Sequence, residues 1–135
     1  MKTIEAVIER SLDGMYSVYC RREIFSGAGE TIEQAKKDML AQMDFYRETA
    51  KEEGFKYPAW LDDEYVIIYD IDAISLMNYY VSLGYFSLSG IEKMTGISQK
   101  QLWTYLNGTK PRKAQSDRIV SGIRKVCNDL NGIFA

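Results

Sequence analysis

The side chains best suited to chemistry lie between Gln99 and Lys113. Lys100, Thr104 and Asn107 recur at spacings that bring them to one side of an α-helix at about 100° per residue, and Gln99 stands at the exposed N-terminal end of the same helix. Their chemistry is hydrogen bonding to base edges. A glutamine amide can pair with adenine, a lysine ammonium with guanine acceptors, and a threonine methyl can touch thymine. Asn107, Thr109 and Lys110 fall where the following loop would meet a phosphate backbone, and Arg112 and Lys113 extend its basic character. Trp103 has two readings: half-buried packing, which its size favours, or contact with a base step or sugar. From Lys100 to Lys125 the chain carries seven Lys/Arg and a single acid, Asp117.

Such residues need a scaffold, and the segment Ile91–Gly108 has the layout of a helix-turn-helix. Gly96 sits where a tight turn requires positive φ, Ile97 plugs the corner, and Ser98 with Gln101 forms a capping box that starts the second helix. That helix is expected over about Gln99–Leu106, stopping at Asn107-Gly108, with Leu102 and Leu106 on the core and Tyr105 flanking them. In repressor-type motifs an alanine usually stands in the place held here by Glu92, where the two helices approach closely. The helices must therefore splay slightly, or the carboxylate must reach out.

Other chemistries are poorly served. The chain has no histidine and only two cysteines, Cys20 and Cys127, in no metal-binding spacing. Zinc and histidine-based acid–base chemistry are excluded, both thiols are expected reduced and buried, and neither a catalytic residue nor a cofactor is expected. The longest apolar runs are of the length of Tyr65–Tyr69, and Met1–Glu5 lacks a signal-peptide layout. The expectation is a cytoplasmic protein, with no membrane partner.

The chain divides at Ile71, where a strand-like run gives way to helical spacing. Residues 1–71 carry nine Lys/Arg against fifteen Asp/Glu, a balance of −6, and residues 72–135 eight against four, or +4. Opposite signs suggest an acidic partner-binding domain joined to one that meets phosphate. In the first, Thr3–Glu9 and Met15–Cys20 read as a hairpin turning at Ser11-Leu12-Asp13-Gly14, with Asp13-Gly14 tolerating positive φ. A short strand is expected at Glu23–Ser26, ending at Gly27-Ala28-Gly29. Thr31 and Gln34 form a capping box opening a long helix whose apolar stripe is Ile32, Ala35, Met39, Met43, Tyr46 and Ala50, ended by Gly54. Glu64–Asp70, apolar on both faces, is expected to be a central strand. The second domain adds a helix capped by Asp72 and carrying Ile74, Met77, Val81 and Leu83. Fold class is α+β: a β-β-β-α-β domain over 1–71 and an all-α domain over 72–135.

The whole chain resembles the HicB family of antitoxins, in the form with a C-terminal repressor-like helix-turn-helix. The resemblance rests on Val7-Ile8-Glu9-Arg10 with Asp13-Gly14-Met15-Tyr16, on Gly27-Ala28-Gly29-Glu30-Thr31-Ile32-Glu33-Gln34-Ala35, and on a tail of Gln101-Leu102, Tyr105, Gly108, Lys110-Pro111, Gln115, Arg118-Ile119, Gly122-Ile123 and Leu130. It implies a degenerate ribonuclease-H-like N-terminal domain that binds HicA, a small toxin ribonuclease, and blocks its action on messenger RNA. It also implies a C-terminal domain that represses the operon encoding the pair, binding double-stranded DNA at its own operator as a homodimer or homotetramer. Catalysis is not implied, since that fold needs converging carboxylates on Mg²⁺, whereas Glu5, Glu9 and Glu23 read as surface positions of edge strands. Self-association is expected through apolar faces on Ile119–Leu130 and on the helix from Asp72. The alternative is a solitary transcription regulator whose acidic half binds another protein or a small ligand.

Overall fold

The computed structural model describes residues 1–11 and 13–134, so Leu12 of the expected hairpin turn, and Ala135, lie outside the described residues. The fold is α+β, with one four-stranded mixed sheet and five α-helices among those residues. The chain forms two compact units, Met1–Ile71 and Asp72–Ala135, which divide where the charge balance changes sign.

In the first unit the strands are β1 (Lys2–Arg10), β2 (Tyr16–Cys20), β3 (Ser26–Gly29) and β4 (Tyr65–Ile71), with helix α1 (Ile32–Glu53) between β3 and β4. The sheet order is β3-β2-β1-β4; β1–β2 and β2–β3 are antiparallel, and β4 runs parallel to β1. A parallel partner requires a crossover, which α1 begins and a short 3₁₀ turn at Ala59–Asp62 completes. Among the described residues of the hairpin only Gly14 takes positive φ, at 85°. Asp13 contributes differently, its carboxylate accepting from the Met15 N–H at 3.0 Å. Alternation puts Ile4, Ala6 and Ile8 of β1 and Tyr16, Val18 and Cys20 of β2 in the core. Helix α1 adds Ile32, Ala35, Met39, Met43 and Ala50, and burial of each large side chain stabilises the unit by about 1.5–3 kcal/mol.

The caps of α1 are local and strong. Thr31 Oγ1 accepts from the Gln34 N–H at 3.1 Å, the Gln34 amide oxygen accepts from the Glu30 N–H at 3.0 Å, and Gly54 closes the helix at φ 72°.

Two expectations for this sheet fail. The third strand is not Glu23–Ser26 but Ser26–Gly29, because the glycines allow the strand to lie against α1. A Cβ at Gly27 would collide with the Met39 amide and sit 2.6 Å from the Ala35 carbonyl oxygen. Phe25, which made the earlier segment look strand-like, is instead a buried plug in edge contact with Tyr46 and Trp60. The fourth strand is an edge strand, not a central one. Its odd-numbered residues are half-buried while Val66 and Ile68 are 44% and 56% exposed, so its second apolar face is open and not covered. The position of Glu5 and Glu9 changes accordingly: they lie exposed on central β1, and Glu23 lies in the bend before β3. Arg21 bridges Glu5 at 3.8 Å and Asp70 at 2.8 Å. Among the described residues no three acidic, cysteine or histidine side chains are grouped to hold a metal ion.

The second unit contains α2 (Ala73–Ser82), α3 (Leu88–Thr95), α4 (Gln99–Leu106) and α5 (Lys113–Phe134). Asp72 caps α2 by accepting from the Ser75 N–H at 2.9 Å. The core is Ala73, Met77, Ile91, Ile97, Leu102, Tyr105, Ile119 and Ile123. Leu83 of the expected α2 stripe is exposed, standing at the C-cap. The cysteines differ in environment. Cys20 is buried with its thiol 3.8 Å from the Met39 sulfur and its pKa raised by burial, but Cys127 is exposed, contrary to the expectation of two buried thiols. No helix among the described residues is long and apolar enough to cross a membrane.

Candidate nucleic-acid interface

The α3–α4 pair is shaped by three residues at its corner. Gly96 ends α3 at φ 75° and donates its N–H to the Glu92 carbonyl at 2.7 Å. Thr95 Oγ1 donates to the Ile91 carbonyl at 2.7 Å and accepts from the Ile97 N–H at 3.1 Å. Ile97 then enters the core at 3% exposure.

The start of α4 differs from the expected capping box in one respect. Ser98 Oγ accepts from the Gln101 N–H at 3.2 Å, as a cap should. The second acceptor is Glu92, whose carboxylate receives the Gln99 N–H at 3.2 Å and the Gln99 side-chain amide at 3.4 Å. The carboxylate therefore reaches out and occupies the N-terminus of α4, where free N–H groups and the helix dipole favour negative charge. Glu92→Ala should lower the urea midpoint of the full chain, read by far-UV circular dichroism, by an amount equal to about 1 kcal/mol. Unchanged stability would show that the contact contributes nothing.

On α4, Leu102 and Tyr105 are buried and Leu106, half-buried, packs against the same core, so the expected side faces inward and Tyr105 lies deeper in it than Leu106. The opposite side carries Gln99, Lys100, Trp103 and Asn107, all exposed, with Thr104 half-buried at its margin. Trp103 is 58% exposed, so it joins this surface and does not pack beneath it. Several of these side chains are already engaged within the helix. Thr104 Oγ1 donates to the Lys100 carbonyl at 2.9 Å, which leaves its methyl group and lone pairs for a partner. Asn107 Nδ2 donates to the Trp103 carbonyl at 2.8 Å. Two-point pairing of Gln99 with adenine would require its long contact to Glu92 to open.

Thr109, Lys110, Arg112 and Lys113 are exposed around Pro111, which is buried and pins the loop. A depression of about 470 Å³ brings Lys110 and Arg112 beside Gln101 and Tyr105, so the basic loop flanks the Gln101 edge of α4. Gln101 is the residue that sequence reasoning missed, because its capping role concealed its place beside the loop. Among the described residues no carboxylate pairs with Lys100, Lys110 or Arg112, and these charges face solvent. Lys113 pairs with Asp117 at 3.1 Å, an exposed i,i+4 contact that a phosphate can displace at small cost. Arg118 is committed to structure: its guanidinium donates to the Thr95 carbonyl at 3.0 Å and to Gln115 Oε1 at 3.1 Å, tying α5 to the end of α3.

No protein-family model matches the chain, and neither a curated protein nor a solved structure shows significant similarity to it.

Proposed function

We propose that the protein is an antitoxin of the HicB type, which neutralises a HicA-like messenger-RNA-cleaving toxin through residues 1–71 and represses its own operon through residues 72–135. The observation that carries this reading is the α3–Gly96–α4 corner. It supports a helix-turn-helix in which α4 is the recognition helix, with an exposed polar face and, beside it, Lys110 and Arg112, which pair with no carboxylate among the described residues. A positive patch next to side chains that read base edges is the arrangement expected of a duplex-DNA binder, with phosphate contacts for register and base contacts for sequence.

Support for the other half is of two kinds. The β-β-β-α-β order is the one a degenerate ribonuclease-H-like domain calls for. The unit also combines a charge balance of −6 with a groove of about 560 Å³ between β2, β3 and α1, where Ile24 and Phe45 are 76% and 69% exposed. An acidic surface that also exposes large apolar groups suits a small basic protein, captured by charge and held by burial.

The test is coexpression of the full chain with the product of the adjacent reading frame, and binding of the purified chain to duplex from upstream of both. The expected result is relief of growth arrest, co-purification, and sequence-selective DNA binding. DNA binding with no rescue or co-purification would leave a solitary regulator as the better account.

A further inference from the structure

Glu92, half-buried on α3, carries a charge that its surroundings do not balance. Among the described residues no lysine or arginine comes within ion-pair distance of it, and it stands at the start of the helix proposed to read DNA. A negative charge there weakens attraction to every duplex. Capping alone does not call for it, because Ser98, a neutral residue, already accepts the Gln101 N–H. What the carboxylate adds is a two-point grip on one residue. One oxygen receives the Gln99 backbone N–H at 3.2 Å and the other receives the Gln99 side-chain amide at 3.4 Å.

The grip has a chemical sense. A carboxylate only accepts hydrogen bonds, so an amide that meets it must turn its nitrogen inward, and its carbonyl oxygen is left on the far side. Gln99 is exposed in the first turn of α4, the part of a recognition helix that meets base edges. Its neighbours on that face follow the same polarity. Thr104 spends its hydroxyl hydrogen on the Lys100 carbonyl, and Asn107 turns its amide nitrogen to the Trp103 carbonyl. Each of the three neutral side chains commits a donor to the protein and leaves an oxygen to accept. In the major groove adenine N6 and cytosine N4 are donors, whereas guanine offers N7 and O6, and thymine O4, as acceptors.

We propose that Glu92 is a positioning residue that sets the base preference of α4. It holds the Gln99 amide with its oxygen toward the groove, which selects a base bearing an exocyclic amine, adenine or cytosine, over guanine or thymine. This rests on the proposed DNA-reading function and adds to it which bases one position accepts and which residue, itself off the recognition helix, decides that.

Selection of the full chain on a pool of duplexes with a randomised central segment, followed by sequencing, tests the assignment. Gln99→Ala should flatten the preference at one position of the enriched site and so identify the base that Gln99 faces. There the wild type should favour adenine or cytosine. Glu92→Gln keeps an oxygen for the Gln99 N–H but lets the Gln99 amide turn either way, so at that position alone the preference over guanine and thymine should fall roughly tenfold. Removal of the negative charge raises binding to all duplexes alike and leaves preference untouched, so a purely structural or electrostatic role would not produce this pattern. A wild-type preference for guanine or thymine at that position, a Gln99→Ala variant that flattens no position, or a Glu92→Gln variant with wild-type preference overturns the proposal while leaving the DNA-reading function in place. A wild type that enriches no sequence removes both.

Discussion

Gly122→Ala is expected to destabilise the protein by about 3 kcal/mol, and Gly132→Ala, ten residues along the same helix, to stabilise it by up to about 1 kcal/mol. The contrast follows from what each added methyl would meet. At Gly122 it falls on the Met94 carbonyl oxygen, 2.9 Å from that group's carbon and 3.1 Å from Thr95 Cγ2. Backbone cannot swing aside as a side chain can, so α5 must retreat from α3. That movement strains the Arg118 contact to Thr95 and loosens the Ile119 and Ile123 packing. At Gly132 nothing lies within 4 Å, and the substitution only reduces the freedom of the unfolded chain. Urea unfolding of the two full-length variants followed by circular dichroism gives both numbers. Equal effects of the same sign would show that α5 does not approach α3 as closely as the structure has it.

If α4 reads DNA as proposed, neutralising the loop and altering the exposed face of α4 should have separable effects on binding. Lys110→Ala with Arg112→Ala removes two charges that have no carboxylate partner among the described residues. Affinity for preferred and random duplex should fall alike, by roughly 10- to 100-fold, and the slope of log K against log salt should flatten by about 2. Lys100→Ala or Thr104→Ala should instead cost about 1–3 kcal/mol on the preferred sequence and little on random duplex, because base-edge contacts carry the sequence information. Electrophoretic mobility or anisotropy titrations at several salt concentrations distinguish the two. Equal loss on both duplexes for all four positions would remove the recognition role from α4.

What was legible in the sequence is what short-range chemistry decides. Thr31 and Ser98 announce helix starts because a hydroxyl three residues before an N–H is a local geometric fact, and Gly54 and Gly96 announce helix ends because only glycine adopts positive φ freely. The burial of Leu102 and the exposure of Lys100 follow from the helical period alone. Misplaced residues depend on distant partners. Ser26–Gly29 can lie against α1, which follows it, because Gly27 and Gly29 have no side chain where the helix backbone approaches. The double apolar face of β4 promised burial on both sides, yet nothing in residues 64–70 says how many layers the unit has. Trp103 and Cys127 look like core by type, and their exposure follows from helices that run past or face away from the core. Glu92 stood out as irregular, but its role as a cap for α4 depends on a partner seven residues away across the corner.

The open edge at β4 also bears on how the protein can fail. Tyr65–Tyr69 contains no charge, proline or glycine, and β-branched and aromatic side chains fill it. Its native partner β1 is some sixty residues earlier in the chain, and no strand among the described residues lies at its other edge. Strands with these properties recruit like strands when they are released, since the same backbone groups that pair with β1 pair equally well with another β4. Any event that frees the first unit from its native sheet, such as partial proteolysis or heating, therefore exposes a ready template for cross-β assembly. Loss of the native fold should therefore open a route to insoluble aggregates, and refolding yield should fall as protein concentration rises.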